Sequence, residues 1–325
     1  MSAARTKVPF TLRVLLHDAR ARLGRARISF GHGFANARDE ADLLVSHALG
    51  LPPGRLPWLL AREVSAAERR RALHLIETRI RRRIPAAYLT HEAWLGAHRF
   101  YVDRRVIVPR SFIAELLETC LEPWIARRRR IARALDLCTG SGCLAVLLAK
   151  CFPGARVDAA DISRPALAVA RRNVAAHRLR NRIRLIRSDV FSALAGRRYD
   201  LIVANPPYVS AAAMRRLPRE YRHEPRLALA GGAHGLDIVR AIVRDAAAHL
   251  TERGLLVVEV GHHRRRVETA FPTLPLIWPS TRAGTDCVFM LERRDLAGPP
   301  QSSRRRARSA GAPFRLRRAP ASGRA

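Results

Sequence analysis

A chain of 325 residues in which 48% are hydrophobic is long enough for two domains and too apolar to be disordered throughout. It has no apolar run near the roughly 18 residues that cross a bilayer and no secretory leader at its amino terminus, which sets aside an integral membrane protein and a secreted one. Its 60 Lys and Arg against 27 Asp and Glu leave a net charge of +33, which points to a polyanion nearby, nucleic acid being the usual one.

In chain order, residues 1–84 read as a helical domain. Phe10, Leu12, Val14, Leu15 and Leu23 mark a first helix. Ala41, Leu43, Leu44, Ala48 and Leu49 mark a second, opened by Asn36 or Asp39 and closed by Gly50. A third runs from Ser65 to Arg82 on Leu73, Leu75, Ile76 and Ile80. Residues 85–110 change period: Trp94, Phe100, Val102, Val106 and Val108 alternate around Gly96 and predict a β-hairpin connector. From 111 to 295 strands alternate with helices, the pattern of an α/β, mostly parallel, Rossmann-like sheet. The predicted strands are Ala134–Cys138, Arg156–Asp161, Ile183–Arg187, Leu201–Ala204, Leu255–Val260 and Cys287–Leu291; helices include Leu144–Cys151, Pro165–Ala176 and Gly235–Leu250. Residues 296–325, basic and nearly free of large apolar groups, read as a disordered tail. Cys120, Cys138, Cys143, Cys151 and Cys287 form no CxxC pair, so they read as small buried hydrophobes with no disulfide framework or zinc site, consistent with a reducing cytoplasm.

Two motifs carry the chemistry. Asp136-Leu-Cys-Thr139-Gly140-Ser-Gly142-Cys-Leu-Ala145 lies where a strand feeds a helix, with Gly140 and Gly142 allowing a sharp turn and close approach to a ligand. Asp161 ends the next strand, placed to accept bonds from ribose hydroxyls. This pattern suits a dinucleotide as well as S-adenosylmethionine. Asn205-Pro206-Pro207-Tyr208 follows the fourth predicted strand of the alternating region, at the carboxyl edge of the sheet. Its prolines fix the backbone and remove two donors, so the Pro206 carbonyl stands free. The Asn205 side chain supplies a second acceptor and Tyr208 a flat wall. Two acceptors beside an aromatic face suit a planar NH2 group whose remaining lone pair attacks a methyl sulfonium.

On these residues the chain resembles the HemK-like protein glutamine methyltransferases, over roughly residues 10–295. The resemblance implies a class I S-adenosylmethionine-dependent methyltransferase fold behind a small helical substrate-recognition domain. It implies that Asp136, Thr139, Gly140 and Gly142 form the cofactor loop, that Asp161 binds the ribose, and that Asp189 faces the adenine with Val190 close by. Asn205, Pro206, Pro207 and Tyr208 would hold the substrate amide; Asn205, Pro206 and Tyr208 would be catalytic, with Asn205 also touching the cofactor, and no metal would take part. Val108-Pro109-Arg110-Ser111 leading to Glu115-Leu116, and Glu220-Tyr221-Arg222-His223-Glu224-Pro225, resemble the branch that modifies large-subunit ribosomal protein L-three. Phe112 stands where that branch would have proline. The alternatives are a release-factor glutamine methyltransferase and a nucleic-acid amine methyltransferase, since adenine and cytosine amines are also planar NH2 groups. The expected partner is a ribosomal protein, either free or within an RNA-containing assembly particle, with RNA close by. His223 beside Glu224 reads as structural, Arg127–Arg130 as a solvated helix end, and His262-His263 as lacking a third metal ligand.

Overall fold

The computed structural model describes residues 9–52, 54–125 and 131–296. The basic run Arg127–Arg130 and the basic tail beyond Leu296 lie outside the described residues.

Three helices build the amino-terminal bundle: α1 (Leu12–Arg25), α2 (Ala37–Leu49) and α3 (Ala66–Arg82). Asn36 caps α2 by accepting from the Asp39 N–H at 2.9 Å, and Gly50 ends it with φ 64°. Ser65 and Glu68 form a reciprocal capping box that starts α3. Leu15, Leu16, Leu44, Val45 and Ile76 meet in the bundle core. Val14 is 46% exposed, because two residues along a helix from Leu12 turn it away from the buried stripe. Leu73, Leu75 and Ile80 are only half-buried, and Arg79 takes the buried position between them.

The predicted hairpin is shorter than residues 85–110. Residues from Ala86 to Thr90 form a helical turn, α4, and the antiparallel pair is β1 (Glu92–Leu95) with β2 (His98–Tyr101). Val102, Val106 and Val108 are buried in the loop that follows, packed with Ala166 and Val169 rather than paired in a strand. Trp94 points outward, 44% exposed.

After α5 (Phe112–Glu118) come β3 (Arg133–Leu137), α6 (Cys143–Cys151), β4 (Arg156–Asp161), α7 (Arg164–Ala176), β5 (Ile183–Arg187) and β6 (Tyr199–Ala204). Then follow α8 (Ala211–Met214), α9 (Asp237–His249), β7 (Leu250–Glu259), α10 (Arg264–Ala270), β8 (Val288–Glu292) and α11 (Arg293–Leu296). The sheet order is β5-β4-β3-β6-β7-β8, parallel except for β8, which runs antiparallel to β7. Two apolar layers cover its faces, one around Val146, Leu148 and Val257, the other around Ile202, Ile242 and Val258. The chain runs outward from β3 to β5, then returns to place β6 on the other side of β3. That reversal leaves a crevice outside the carboxyl ends of β3 and β6, where the loops at Gly140 and Asn205 emerge.

The cysteines depart from the sequence reading. Cys120, just after α5, and Cys151, the last residue of α6, are joined as a disulfide with Cα atoms 5.6 Å apart. They lie 31 residues apart and become neighbours only when α5 packs on α6, so no spacing motif announces the pair. Cys287 is buried as expected, while Cys138 and Cys143 are partly exposed.

Candidate active site

The β3 carboxyl end and the α6 amino end build the first half of the site. Asp136 is fully buried; its Oδ2 accepts from Thr139 Oγ1 at 2.5 Å and from the Ala145 N–H at 2.9 Å, tying the loop to the first turn of α6. Burial pushes its carboxyl up to about 7. Gly142 has φ 79°, and a Cβ there would stand 3.1 Å from Ala170 Cβ, so this glycine lets α6 approach α7. Gly140 has φ 55° with its nearest would-be neighbour 3.9 Å away, which leaves its backbone open to the crevice. The Gly140 N–H donates to Asp161 Oδ2 at 2.8 Å and the Ser163 N–H to Oδ1 at 2.8 Å. Asp161 is thus pinned on the rim with lone pairs to spare.

A crevice opens here. Gly140, Asp161, Asp189, Val190, Asn205 and Pro207 all line it, so the structure brings together the glycine, both acids and the Asn-Pro motif. Open glycine backbone, a rim carboxylate at the ribose position and apolar walls fit a nucleoside-bearing sulfonium. Asp136, Thr139 and Gly142 do not line the cavity; they hold the loop from behind. Sequence reasoning missed Val106 and Ile107 from the connector loop, Leu227 beyond the Asn-Pro motif, and Cys138, all of which line it. Cys138 and Val190 have φ of 58° and 45°, left-handed conformations that cost energy for non-glycine residues and flank the cavity on two sides.

Asn205 stands at the end of β6. Its Nδ2 donates to the Arg110 carbonyl at 3.3 Å, which turns Oδ1 outward as the free acceptor. No described residue donates to Asn205 Oδ1 or to the Pro206 carbonyl. Pro206 itself is buried, and Pro207 and Tyr208 are partly exposed. Tyr208 lines a second opening with Trp94, Arg110, Phe112 and Glu259, and its ring packs against Gly261, where a Cβ would stand 3.0 Å away. Burial, then the Glu259 charge, push the Tyr208 hydroxyl well above its ordinary range, so it stays protonated. Glu259 accepts from Ser111 Oγ at 2.6 Å and the Phe112 N–H at 2.8 Å, and burial raises its carboxyl to about 7.

Arg110 is itself held. Glu224, buried, takes Arg110 Nη1 at 2.6 Å and Nη2 at 2.7 Å, together with the Val108 N–H at 2.9 Å. Burial opposes its ionisation, but the Arg110 hydrogen bonds, with His32 3.7 Å away, win and hold the carboxyl down to about 2. Four residues earlier Glu220 reaches the helical domain, accepting from Arg79 Nη1 at 3.3 Å and the Ser29 N–H at 3.1 Å. Arg79 also donates to Glu40 and to the Ser29 carbonyl. His223 Nε2 donates to the Arg82 carbonyl, 2.9 Å away, a structural contact with α3. The Glu220–Pro225 segment therefore bolts the helical domain to the loop that orients Asn205. His262 does acquire neighbours that the sequence did not reveal: Asp286 Oδ2 at 2.9 Å and Cys287 Sγ at 3.6 Å from its Nδ1.

Comparisons with known proteins agree with this geometry. A family model described as PrmC N-terminal domain matches residues 15–90, and one described as Methyltransferase small domain matches residues 114–218. A ribosomal protein uL3 glutamine methyltransferase of Bordetella pertussis is 54% identical over 88% of this chain and 96% of its own length. The protein of the same name from Neisseria meningitidis serogroup B is 50% identical over 89% of this chain and 95% of its own. That of Burkholderia pseudomallei is 49% identical over 89% and 96%.

Proposed function

From its membership of the HemK-like protein glutamine methyltransferases, in the branch of the ribosomal protein uL3 enzymes, we propose that this chain methylates the side-chain amide nitrogen of a glutamine in uL3, with S-adenosylmethionine as donor. The observation that carries the reading is the pair of free acceptors, Asn205 Oδ1 and the Pro206 carbonyl, beside the cavity that Gly140, Asp161 and Asp189 line.

An amide nitrogen is a poor nucleophile because its lone pair is delocalised. Donating both N–H bonds to Asn205 and Pro206 fixes the nitrogen's orientation, and fixed orientation lowers the barrier. The donor supplies an electrophilic methyl on a sulfonium. As the N–CH3 bond forms, the S–CH3 bond would break and the sulfonium leave as a neutral thioether, while positive charge grows on nitrogen and the same two oxygens stabilise it. The methylated nitrogen is acidic and releases one proton to solvent, restoring the neutral amide. No strong base is needed beforehand, and Tyr208, protonated, serves as a wall. Asp161 and Asp189 on the far rim would hold the nucleoside end. The Tyr208 opening, with Trp94 and Phe112 at its mouth, gives the glutamine-bearing segment an entry separate from the cofactor's.

The test supplies labelled S-adenosylmethionine with uL3, release factors, ribosomal RNA and DNA in separate reactions. Label confined to uL3 is the expected result. Label on RNA or DNA with none on protein overturns the reading, and label on a release factor alone moves the chain to the other branch of the family.

A further inference from the structure

The +33 charge is spread along the sequence, but among the described residues one stretch stands apart. Between Ile162 and Ser188 the chain has eight arginines, at 164, 171, 172, 178, 180, 182, 184 and 187, and no Asp or Glu. This stretch is α7, β5 and the turn between them, and β5 is the open edge of the sheet.

The eight do not all serve the fold. Arg182 donates to the Phe152 and Ala155 carbonyls, Arg187 to the Ile162 carbonyl at 3.4 Å, and Arg172 stacks 3.5 Å from the Tyr101 ring centre. Arg164, Arg171, Arg178, Arg180 and Arg184 are exposed, and their side chains make no hydrogen bond or ion pair with any described residue. Arg164, Arg171 and Arg178 follow each other at seven-residue intervals, so they form one solvent-facing row about 10 Å per step along α7 and just past its end. Arg180 continues the row into the turn and Arg184 carries it onto the strand.

Arginines on an edge strand also discourage strand-to-strand aggregation. Arg184 and Arg187 suffice for that; the row on α7 lies off the strand. A solvated helix face would carry mixed signs, as α1 does, where Arg22 pairs with Asp18 at 2.8 Å. Arginine-rich composition explains arginine in place of lysine, but not the loss of every acid over 27 residues.

We propose that the α7–β5 edge is an RNA-docking surface, engaging phosphates of the ribosomal RNA that accompanies the protein substrate in an assembly particle. The partner's identity rests on the uL3 reading; the polyanion specificity rests on the arginines alone. The edge lies three strands from Asn205, about 14 Å across the sheet, so the enzyme can hold RNA there without covering the amide site. A bare ribosomal protein, itself basic, would gain nothing from this surface, whereas an RNA-bound one would be retained by it.

The test is a full-length variant with Arg164, Arg171, Arg178, Arg180 and Arg184 changed to Gln, and a second with the same five changed to Lys. Binding to a labelled large-subunit ribosomal RNA fragment and to poly-glutamate is measured across a salt series, alongside methylation of free uL3. If about four of the five meet phosphates, the wild-type log–log salt slope is steeper than the Gln variant's by about 3. Its affinity then falls between about 50 and 200 mM salt by about 50-fold more than the variant's. The Lys variant restores most of the slope, and free uL3 is methylated equally by all three. Equal RNA affinity and slope in wild type and Gln variant overturns the proposal, as does a loss confined to poly-glutamate. A failure of the methyltransferase reading would appear instead as no uL3 methylation by the wild type, with RNA binding unaffected.

Discussion

Replacing Glu224 with Gln tests the chain of contacts that aims Asn205. The carboxylate receives two N–H bonds from Arg110 and one from the Val108 backbone, and its own side chain is out of solvent. Holding it at about 2 against an ordinary 4.5 is worth about 3 kcal/mol at 1.36 kcal/mol per unit. Arg110 keeps 28% exposure, and water screening trims this to about 2–3 kcal/mol. The sign follows from the depressed value: the stabilisation is fully present above about pH 4.5 and is lost as pH falls through about 2. E224Q should therefore unfold about 2–3 kcal/mol more easily at pH 7 in urea, and the gap should close as pH falls toward 2. With Arg110 slack, its carbonyl no longer fixes Asn205, and kcat should drop about 100-fold while the KM for the donor stays put. An E224Q enzyme with wild-type kcat, or a stability gap that does not narrow in acid, would refute the reasoning.

Asn205→Ala should cut turnover by about 100-fold or more while donor affinity, measured by calorimetry, changes only a few-fold, because the lost acceptor faces the methyl-receiving nitrogen. Gly142→Ala combines a left-handed φ with a 3.1 Å approach to Ala170, so thermal melts should show a loss of about 1–3 kcal/mol and donor binding should weaken. Arg79→Ala leaves Glu40 buried without its cation and Glu220 with only Arg83, 3.5 Å away, and urea unfolding should register a cost of about 3–5 kcal/mol.

The parallel sheet was readable because its central strands carry short apolar runs such as Leu201–Ala204 and Leu255–Val258, while β4 and β5, which carry charges within them, still fall on the predicted residues. The bundle helices were readable from their caps, Asn36, Gly50 and Ser65. Val106 and Val108 were misplaced in a hairpin because alternation reports burial on one side, which a loop pressed against α7 also produces. At the candidate site, the glycine, the two acids and the Asn-Pro motif that line the crevice were legible. What aims them was not. Glu224 and Arg110 are 114 residues apart, Arg79 and Glu220 are 141 apart, and no local pattern encodes a buried ion pair between domains. The disulfide between Cys120 and Cys151 escaped for the same reason.

The most direct measurement is fragmentation mass spectrometry of uL3 after incubation with the wild-type chain and S-adenosylmethionine, locating the transferred methyl. The account expects a single methyl on the side-chain nitrogen of one glutamine, lost with Asn205→Ala. A methyl on lysine, arginine or a backbone nitrogen, or one that persists undiminished in that variant, would contradict it.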